Sequence, residues 1–365
     1  MTNDKECYTN YALIDDIKFL REKAIKKRKK FSKEQLEKPV TFWIKKDRLI
    51  NEVGKEFTII LRTKGCNWAL DARGGCSMCG YIQDANIETF SPDLIIKQIN
   101  YAFESKKKEI DVDNNNYIVK IFNSGSFFDD NEISENIRRH IYQKIDEIHN
   151  VKEVVVESRV NYITYEKLIE MRDRLKEKYV EIGIGLETAS DYIRNNYINK
   201  GLLLDEFIHI VNLCKKCGVG VKAYLLFKPP FLNEQGAIDD CVNSIRSLID
   251  LKVNTISINP LNIQKGTLAE YLWRQNRYRP PWFYSLFKCL KIAIKQEDLG
   301  EIRFLSTPSG AGTRRGIHNC LNRECNENML NILNNFVITQ DIKALSKQDY
   351  VCDCIKEYQL KKNFI

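Results

Sequence analysis

Short apolar runs alternate with longer amphipathic segments from residue 57 to about residue 260. The runs at 57–62, 117–123, 153–158, 180–186, 219–227 and 255–259 have strand length and are rich in β-branched residues. Between them, helical periodicity covers 91–107, 132–149, 165–178, 189–217 in two pieces, and 236–251, with Ser91 as an N-cap before Pro92. Six strand–helix units in series predict a parallel sheet joined by crossover helices. Six rather than eight predict an α/β partial (β/α)6 barrel, open on one side. An aromatic-rich helix at 282–297 and one more strand at 302–305 follow.

The residues just after each predicted strand are polar or glycine-rich: Lys64-Gly65-Cys66, Asn123-Ser124-Gly125-Ser126, Glu157-Ser158-Arg159, Glu187-Thr188, Lys228-Pro229-Pro230 and Asn259-Pro260. In such folds these strand ends carry the chemistry. One polar strand end means little, but six in series describe one rim. No apolar run approaches membrane-span length, and the first sixteen residues lack a signal-peptide core. A reducing cytoplasm is the expected compartment.

Cysteine spacing sharpens the picture. Cys66, Cys76 and Cys79 follow the first strand as C-x9-C-x2-C. A closed structural site wants four protein ligands, whereas three thiolates on a four-iron cluster leave one iron open. An open iron on the first strand of a partial barrel is suited to S-adenosylmethionine (SAM), whose amine and carboxylate chelate it. One electron from the cluster then splits the sulfonium into methionine and a 5′-deoxyadenosyl radical. On the rim, Gly125 would let the backbone approach the methionine moiety, with hydroxyls from Ser124 and Ser126. Glu157 and Glu187 are candidate acceptors for ammonium or ribose hydroxyls, Arg159 a partner for the carboxylate, and Asn259 a further polar strand-end contact. No catalytic residue is assigned.

The second cysteine group, Cys320-x4-Cys325 and Cys352-x-Cys354, offers four thiolates for a tetrahedral zinc, with His318 as a fifth candidate and a second iron–sulfur cluster as the alternative. Cys214-x2-Cys217 has half-site spacing with nothing to complete it and reads as core thiols. Cys7, Cys241 and Cys289 read as packing residues. Net charge is +8, and thirteen Lys/Arg against four Asp/Glu fall between Lys18 and Arg48, leaving the remainder near neutral. Lys26, Lys27, Arg28, Lys29 and Lys30, with Arg21, Lys23 and Lys33, would make a helix cationic on all sides. With Arg314, Arg315 and Arg323 beside the tail, they would form a phosphate-attracting surface, the alternative being a solvated lysine-rich helix with no partner.

Given these motifs, the chain resembles the radical-SAM superfamily, in its branch with a long first cysteine gap, near the radical-SAM module of the elongator acetyltransferase subunit. Asn123-Ser124-Gly125-Ser126-Phe127-Phe128-Asp129, Glu157-Ser158-Arg159, Gly185-Leu186-Glu187-Thr188, Ile258-Asn259-Pro260, His318-Asn319-Cys320 and Cys352-Asp353-Cys354 are similar to the archaeal radical-SAM family of archaeosine formation. The resemblance spans about residues 41–358. It implies a 4Fe-4S cluster, SAM, and a tRNA whose D-arm carries 7-cyano-7-deazaguanine joined to lysine through its side-chain amine. The enzyme would be a lyase that splits the lysine C–N bond to leave archaeosine. The implied partners are the lysine-transferring archaeosine synthase subunit and an electron donor such as ferredoxin or flavodoxin.

The expected organisation is a basic extension at 1–50, the barrel at 51–300 and a cysteine-rich tail at 301–365. A methylthiotransferase, an elongator-like module and a non-catalytic metal-stabilised nucleic-acid-binding protein are the competing readings. The first usually brings an earlier cysteine-rich domain, yet only Cys7 precedes Cys66. The second carries an acetyltransferase domain for which the remaining length is too short.

Overall fold

A computed structural model describes residues 11–28, 30–87, 91–346 and 352–364. One eight-stranded sheet organises them, in the order β1 to β8 along the chain. Its strands are β1 Thr41–Arg48, β2 Val53–Ile60, β3 Tyr117–Phe122, β4 Val151–Glu157, β5 Tyr179–Glu187, β6 Gly220–Phe227, β7 Thr255–Pro260 and β8 Arg303–Leu305. β1 pairs antiparallel with β2, and every later pairing is parallel. The six predicted strands are therefore β2–β7, flanked by one edge strand on each side. β1 lies within what the charge count assigns to the basic extension.

Alternation along the strands separates two environments. Phe57 and Ile59, Val119 and Ile121, Val154 and Val156, Ile182 and Ile184, and Val221, Ala223 and Leu225 are all buried in one apolar core with the crossover helices. The intervening residues face inward and are largely polar. Their side chains show that the sheet curls. Arg303 on β8 pairs with Glu153 on β4 and Glu181 on β5, and also donates to the Arg48 carbonyl on β1. Lys120 on β3 pairs with Asp47 on β1 and Glu56 on β2. These buried ions plug the barrel toward the strand N-termini, leaving the C-terminal ends for the site. Such pairs fix register more than they stabilise, because desolvation offsets much of their attraction.

Helix Pro92–Asp111 has Ser91 at its N-cap and Pro92 in its first turn, as the sequence predicts. The 189–217 segment divides into a π-helical turn, Ile193–Tyr197, and the helix Leu204–Lys216. No helix among the described residues is long and apolar enough to cross a membrane.

Candidate active site and metal centre

Cys66, Cys76 and Cys79 lie in a loop that leaves the C-terminal end of β2, and distant residues hold that loop in place. Helix Tyr11–Lys26 crosses it so closely that a Cβ on Gly74 (φ +72°) would lie 2.8 Å from the Lys18 Cα, which only glycine accommodates. From this helix the buried Arg21 donates to the carbonyls of Gly74 (3.0 Å) and Cys76 (3.1 Å). The segment after β5 grips the other side. Asn199 donates to the Arg73 and Gly75 carbonyls, Trp68 Nε1 donates to the Asn199 carbonyl (2.9 Å), and Ser77 is held by the carbonyls of Tyr197 and Ile198. Arg21 therefore belongs to the cysteine loop and not to a cationic surface.

The three thiols sit close enough to act on one another. Burial pushes the Cys79 thiol up to about 11, and Cys76 and Cys66 add to the shift. Cys66 is raised by burial and by Cys76, against the opposing pull of Arg159. Cys66 and Cys79, whose ionisation burial and the neighbouring Cys76 disfavour, suit a site where bound metal supplies the missing positive charge. The donor set thus fits a cluster held by three thiolates.

The predicted rim gathers around this loop. Arg159 stacks 5.0 Å from the Trp68 ring and donates to the Lys200 carbonyl (3.0 Å). Glu187 follows a register shift in the β5–β6 ladder and has φ +69°, a left-handed conformation that costs a non-glycine residue and re-aims the side chain. Its carboxylate meets Lys200 Nζ at 2.6 Å. Glu157 is shifted upward by burial, eased by Tyr224, Lys222 and Lys200. Asn259 is half-buried on β7 beside Ser257, and Ser124 is half-buried.

Two neighbours of Ser124 already serve the loop itself. Ser126 Oγ accepts from the Arg159 backbone (3.1 Å), and its own N–H donates to Glu132 (2.9 Å). A Cβ on Gly125 would overlap the Glu132 carboxylate, so that glycine is needed for Glu132. The same carboxylate accepts from Thr63 (2.8 Å) and Asn123 (2.9 Å), tying the ends of β2 and β3 together. Lys200, Trp68, Asn199 and Glu132 are site residues that local sequence pattern does not single out.

The second cysteine group forms a compact centre. The Sγ atoms of Cys320, Cys325, Cys352 and Cys354 all lie within 4.8 Å of one another. Cys320–Cys352 and Cys325–Cys354 are each 3.9 Å apart. Four sulfurs about 2.3 Å from one ion in a tetrahedron lie about 3.8 Å apart. A four-iron cluster would put each thiolate on its own iron and spread them farther. The spacing therefore fits a single ion. His318 is not among these clustered ligand atoms, and its Nδ1 is bonded to the Gly316 carbonyl (2.8 Å). Burial, with Arg279 nearby, pushes that imidazole down to about 4. Trp282, Tyr284 and Tyr358 pack around the sulfurs.

The expected RNA-facing cations divide. Helix Tyr11–Lys26 ends at the first residue of the basic run, so the run is not a helix cationic on all sides. Lys26, Lys27, Lys30 and Arg314 are exposed, while Lys29 and Cys7 lie outside the described residues. Arg28 donates to the Ala85 carbonyl (3.2 Å). Arg315 is a structural clamp: it pairs with Glu270 (2.6 Å), donates to the Ile263 carbonyl and lies over the Trp273 ring. Arg323 is exposed and paired with Glu327. Cys214 and Cys217 are buried in the core.

Comparison with known proteins gives three close relatives. A protein of Methanocaldococcus jannaschii, described only as uncharacterized, is 40% identical over 339 residues, covering 93% of this chain and 90% of its own. Archaeosine synthase subunit beta of Methanosarcina acetivorans is 38% identical, covering 90% of this chain and 91% of its own. The protein of the same name from Thermococcus kodakarensis is 34% identical, covering 89% and 98%. Among solved structures, Elp3 of Methanocaldococcus infernus is 14% identical with TM-score 0.48, over 67% of this chain and 59% of that one. The radical S-adenosylmethionine methyltransferase TsrM of Kitasatospora setae is 10% identical with TM-score 0.40, over 62% and 40%. The chain spans less than two thirds of either solved protein. No protein-family model matches it.

Proposed function

The chain belongs to the family of the archaeosine synthase beta subunits, and on that premise we propose that it is a radical-SAM enzyme acting on tRNA. The reaction we infer is cleavage of the lysine C–N bond in a lysine-adducted 7-cyano-7-deazaguanine nucleoside, leaving archaeosine. The observation that carries the reading is the convergence of Cys66, Cys76 and Cys79 beside Arg159, Glu157 and the Glu187–Lys200 pair.

The three thiolates would hold a 4Fe-4S cluster by three of its irons. Such a cluster, when bound and reduced, would supply the electron that cleaves SAM, the radical chemistry that hydrogen abstraction from the lysyl side chain requires. The chain's own residues orient the reactants. Arg159, held against the Trp68 ring and the Lys200 carbonyl, would pair with the carboxylate of SAM. Glu187 and Lys200 offer one acceptor and one donor of opposite charge for the amine and ribose groups. Asn199 and Trp68 keep the cysteine loop against this rim, so that cofactor and substrate meet at fixed separation.

The tail would hold one zinc ion through Cys320, Cys325, Cys352 and Cys354, closing a segment with little apolar core of its own. The tRNA would lie across the mouth on the exposed cations at 26, 27, 30 and 314. A companion lysine-transferring subunit and a reductant of the ferredoxin or flavodoxin class complete the scheme. The test is anaerobic incubation with SAM, reductant and lysine-adducted tRNA, followed by nucleoside mass spectrometry. Archaeosine in the digest supports the reading, and its absence alongside active SAM cleavage would redirect it to another modified nucleoside.

A further inference from the structure

One buried cation inside the barrel forms no ion pair among the described residues. Lys222 on β6 alternates with Val221 and Ala223, which belong to the outer apolar core, so its side chain faces inward. It is 4% exposed. Lys120 and Arg303, the other buried cations on this face, each engage two carboxylates. Lys222 engages none: among the described residues it makes no ion pair, and its ammonium lies 4.9 Å from the Tyr224 ring. Burial, with repulsion from Lys120, pushes it down to about 8.

The neighbours of Lys222 toward the mouth are equally unfinished. Gly183 on β5 is register partner to both Lys222 and Glu157. Because it has no side chain, Tyr224 and Glu157 lie over its backbone, where a Cβ would meet the Tyr224 ring at 2.8 Å and Glu157 Cγ at 3.0 Å. The buried Tyr224 hydroxyl faces the Glu157 carboxyl, yet forms no well-aligned hydrogen bond with it or with any other described residue. Glu157 sits among these groups beside the SAM rim. One ammonium without an ion pair, one phenol and one carboxyl therefore share the inner wall below the rim, with Glu181 and Asp47 easing the ammonium only from a distance. An unpaired buried ion is costly, and a ligand of opposite charge removes that cost.

We propose that Lys222, Tyr224 and Glu157 form a subsite for the free α-amino acid end of the substrate's lysyl group. Lys222 pairs with its carboxylate, the Tyr224 hydroxyl donates to the same carboxylate, and Glu157 faces its ammonium. A zwitterion with both charges on one carbon matches a cation and an acid on nearby strands of one inner wall. A phosphate would be repelled by Glu157, and an uncharged base would leave Lys222 unpaired. This assignment rests on the proposed function and adds how the substrate is told from adducts of other amines. With its far end anchored inside the barrel, the lysyl chain would run up toward the rim.

The test compares tRNA carrying the lysine adduct with tRNA carrying a 1,5-diaminopentane adduct, which has the same chain without the carboxylate. Binding is measured on the full reconstituted protein with SAM. Wild type should prefer the lysine adduct by about tenfold or more, the worth of one charge-assisted contact. Lys222→Met should bind both alike, and should melt no lower than wild type, because it replaces an unpaired buried charge with an apolar chain of similar length. A preference that survives Lys222→Met overturns the assignment, and so does a marked fall in melting temperature, which would make Lys222 a structural ion. Wild type that converts the lysine adduct yet ignores the carboxylate overturns the subsite alone. Wild type that neither binds nor converts either adduct overturns the proposed function, and the subsite with it.

Discussion

Lys200 Nζ lies 2.6 Å from the carboxylate of Glu187, at the point where β5 ends and the segment that grips the cysteine loop begins. The pair joins the two halves of the candidate site. Its members differ in kind: Glu187 belongs to a strand end that sequence pattern marks, whereas Lys200 comes from a loop that only the fold delivers.

Breaking that pair should weaken SAM binding and spare the cluster. Glu187→Ala leaves Lys200 without its counter-charge, and Lys200→Met does the reverse. Each should weaken SAM affinity by about tenfold or more, since a charge-assisted hydrogen bond contributes roughly 1.5–3 kcal/mol. Titration of SAM into reconstituted protein checks this, with iron content as the control. Equal affinity in both variants would remove the pair from the SAM site.

The tail should depend on one tightly held metal ion. Cys325→Ser, or removal of metal by a chelator, should lower the melting temperature by on the order of 10 °C. Metal analysis should find one zinc per chain in wild type and none in Cys325→Ser, with His318→Ala unchanged. Retention of zinc in the cysteine variant would contradict the four-sulfur assignment.

Glu132 predicts a pH dependence. Burial raises its carboxyl from 4.5 to about 7 despite three hydrogen bonds. A raised acid favours the folded state while both states are protonated, and that stability is lost as pH rises from about 4.5 to about 7. The loss from this one group is about 3 kcal/mol. Thermal melts across that window should show a flatter profile for Glu132→Gln than for wild type. Parallel profiles would place the effect elsewhere.

Charge on the exposed face should govern RNA affinity. Neutralising Lys26, Lys27, Lys30 and Arg314 should weaken tRNA binding and reduce the salt slope by about 0.9 for each phosphate that the variant no longer neutralises. SAM cleavage without tRNA should persist. Arg315→Ala should behave differently, lowering stability through loss of Glu270 and Trp273 with little change in salt slope. An unchanged slope in the first variant would make that face a solvated surface only.

How legible each part was follows from how local its cause is. Val119/Ile121 and Val154/Val156 reveal strands because one face of each is buried by crossover helices, and the polar ends reveal the rim. β1 escapes the pattern because its second half, Lys45-Lys46-Asp47-Arg48, is charged, as an edge strand can be. Arg21 and Arg315 look like surface charge in a count, yet one holds the cysteine loop and the other clamps Glu270. The four tail cysteines are legible from spacing. That His318 stands apart from them is not, since spacing alone does not say which neighbours in the chain bring their ligand atoms together. Lys222 is hidden for a similar reason, because only the curl of the sheet makes an inward strand position a barrel interior.

The most direct test of the whole account is a product balance for the reconstituted protein with reductant, SAM and lysine-adducted tRNA, run beside Cys76→Ala. The account predicts methionine and 5′-deoxyadenosine in step with archaeosine in the wild-type reaction, and none of the three with Cys76→Ala, whose iron content should also fall. Full iron and SAM cleavage in Cys76→Ala, or archaeosine formed without SAM consumption, would contradict it.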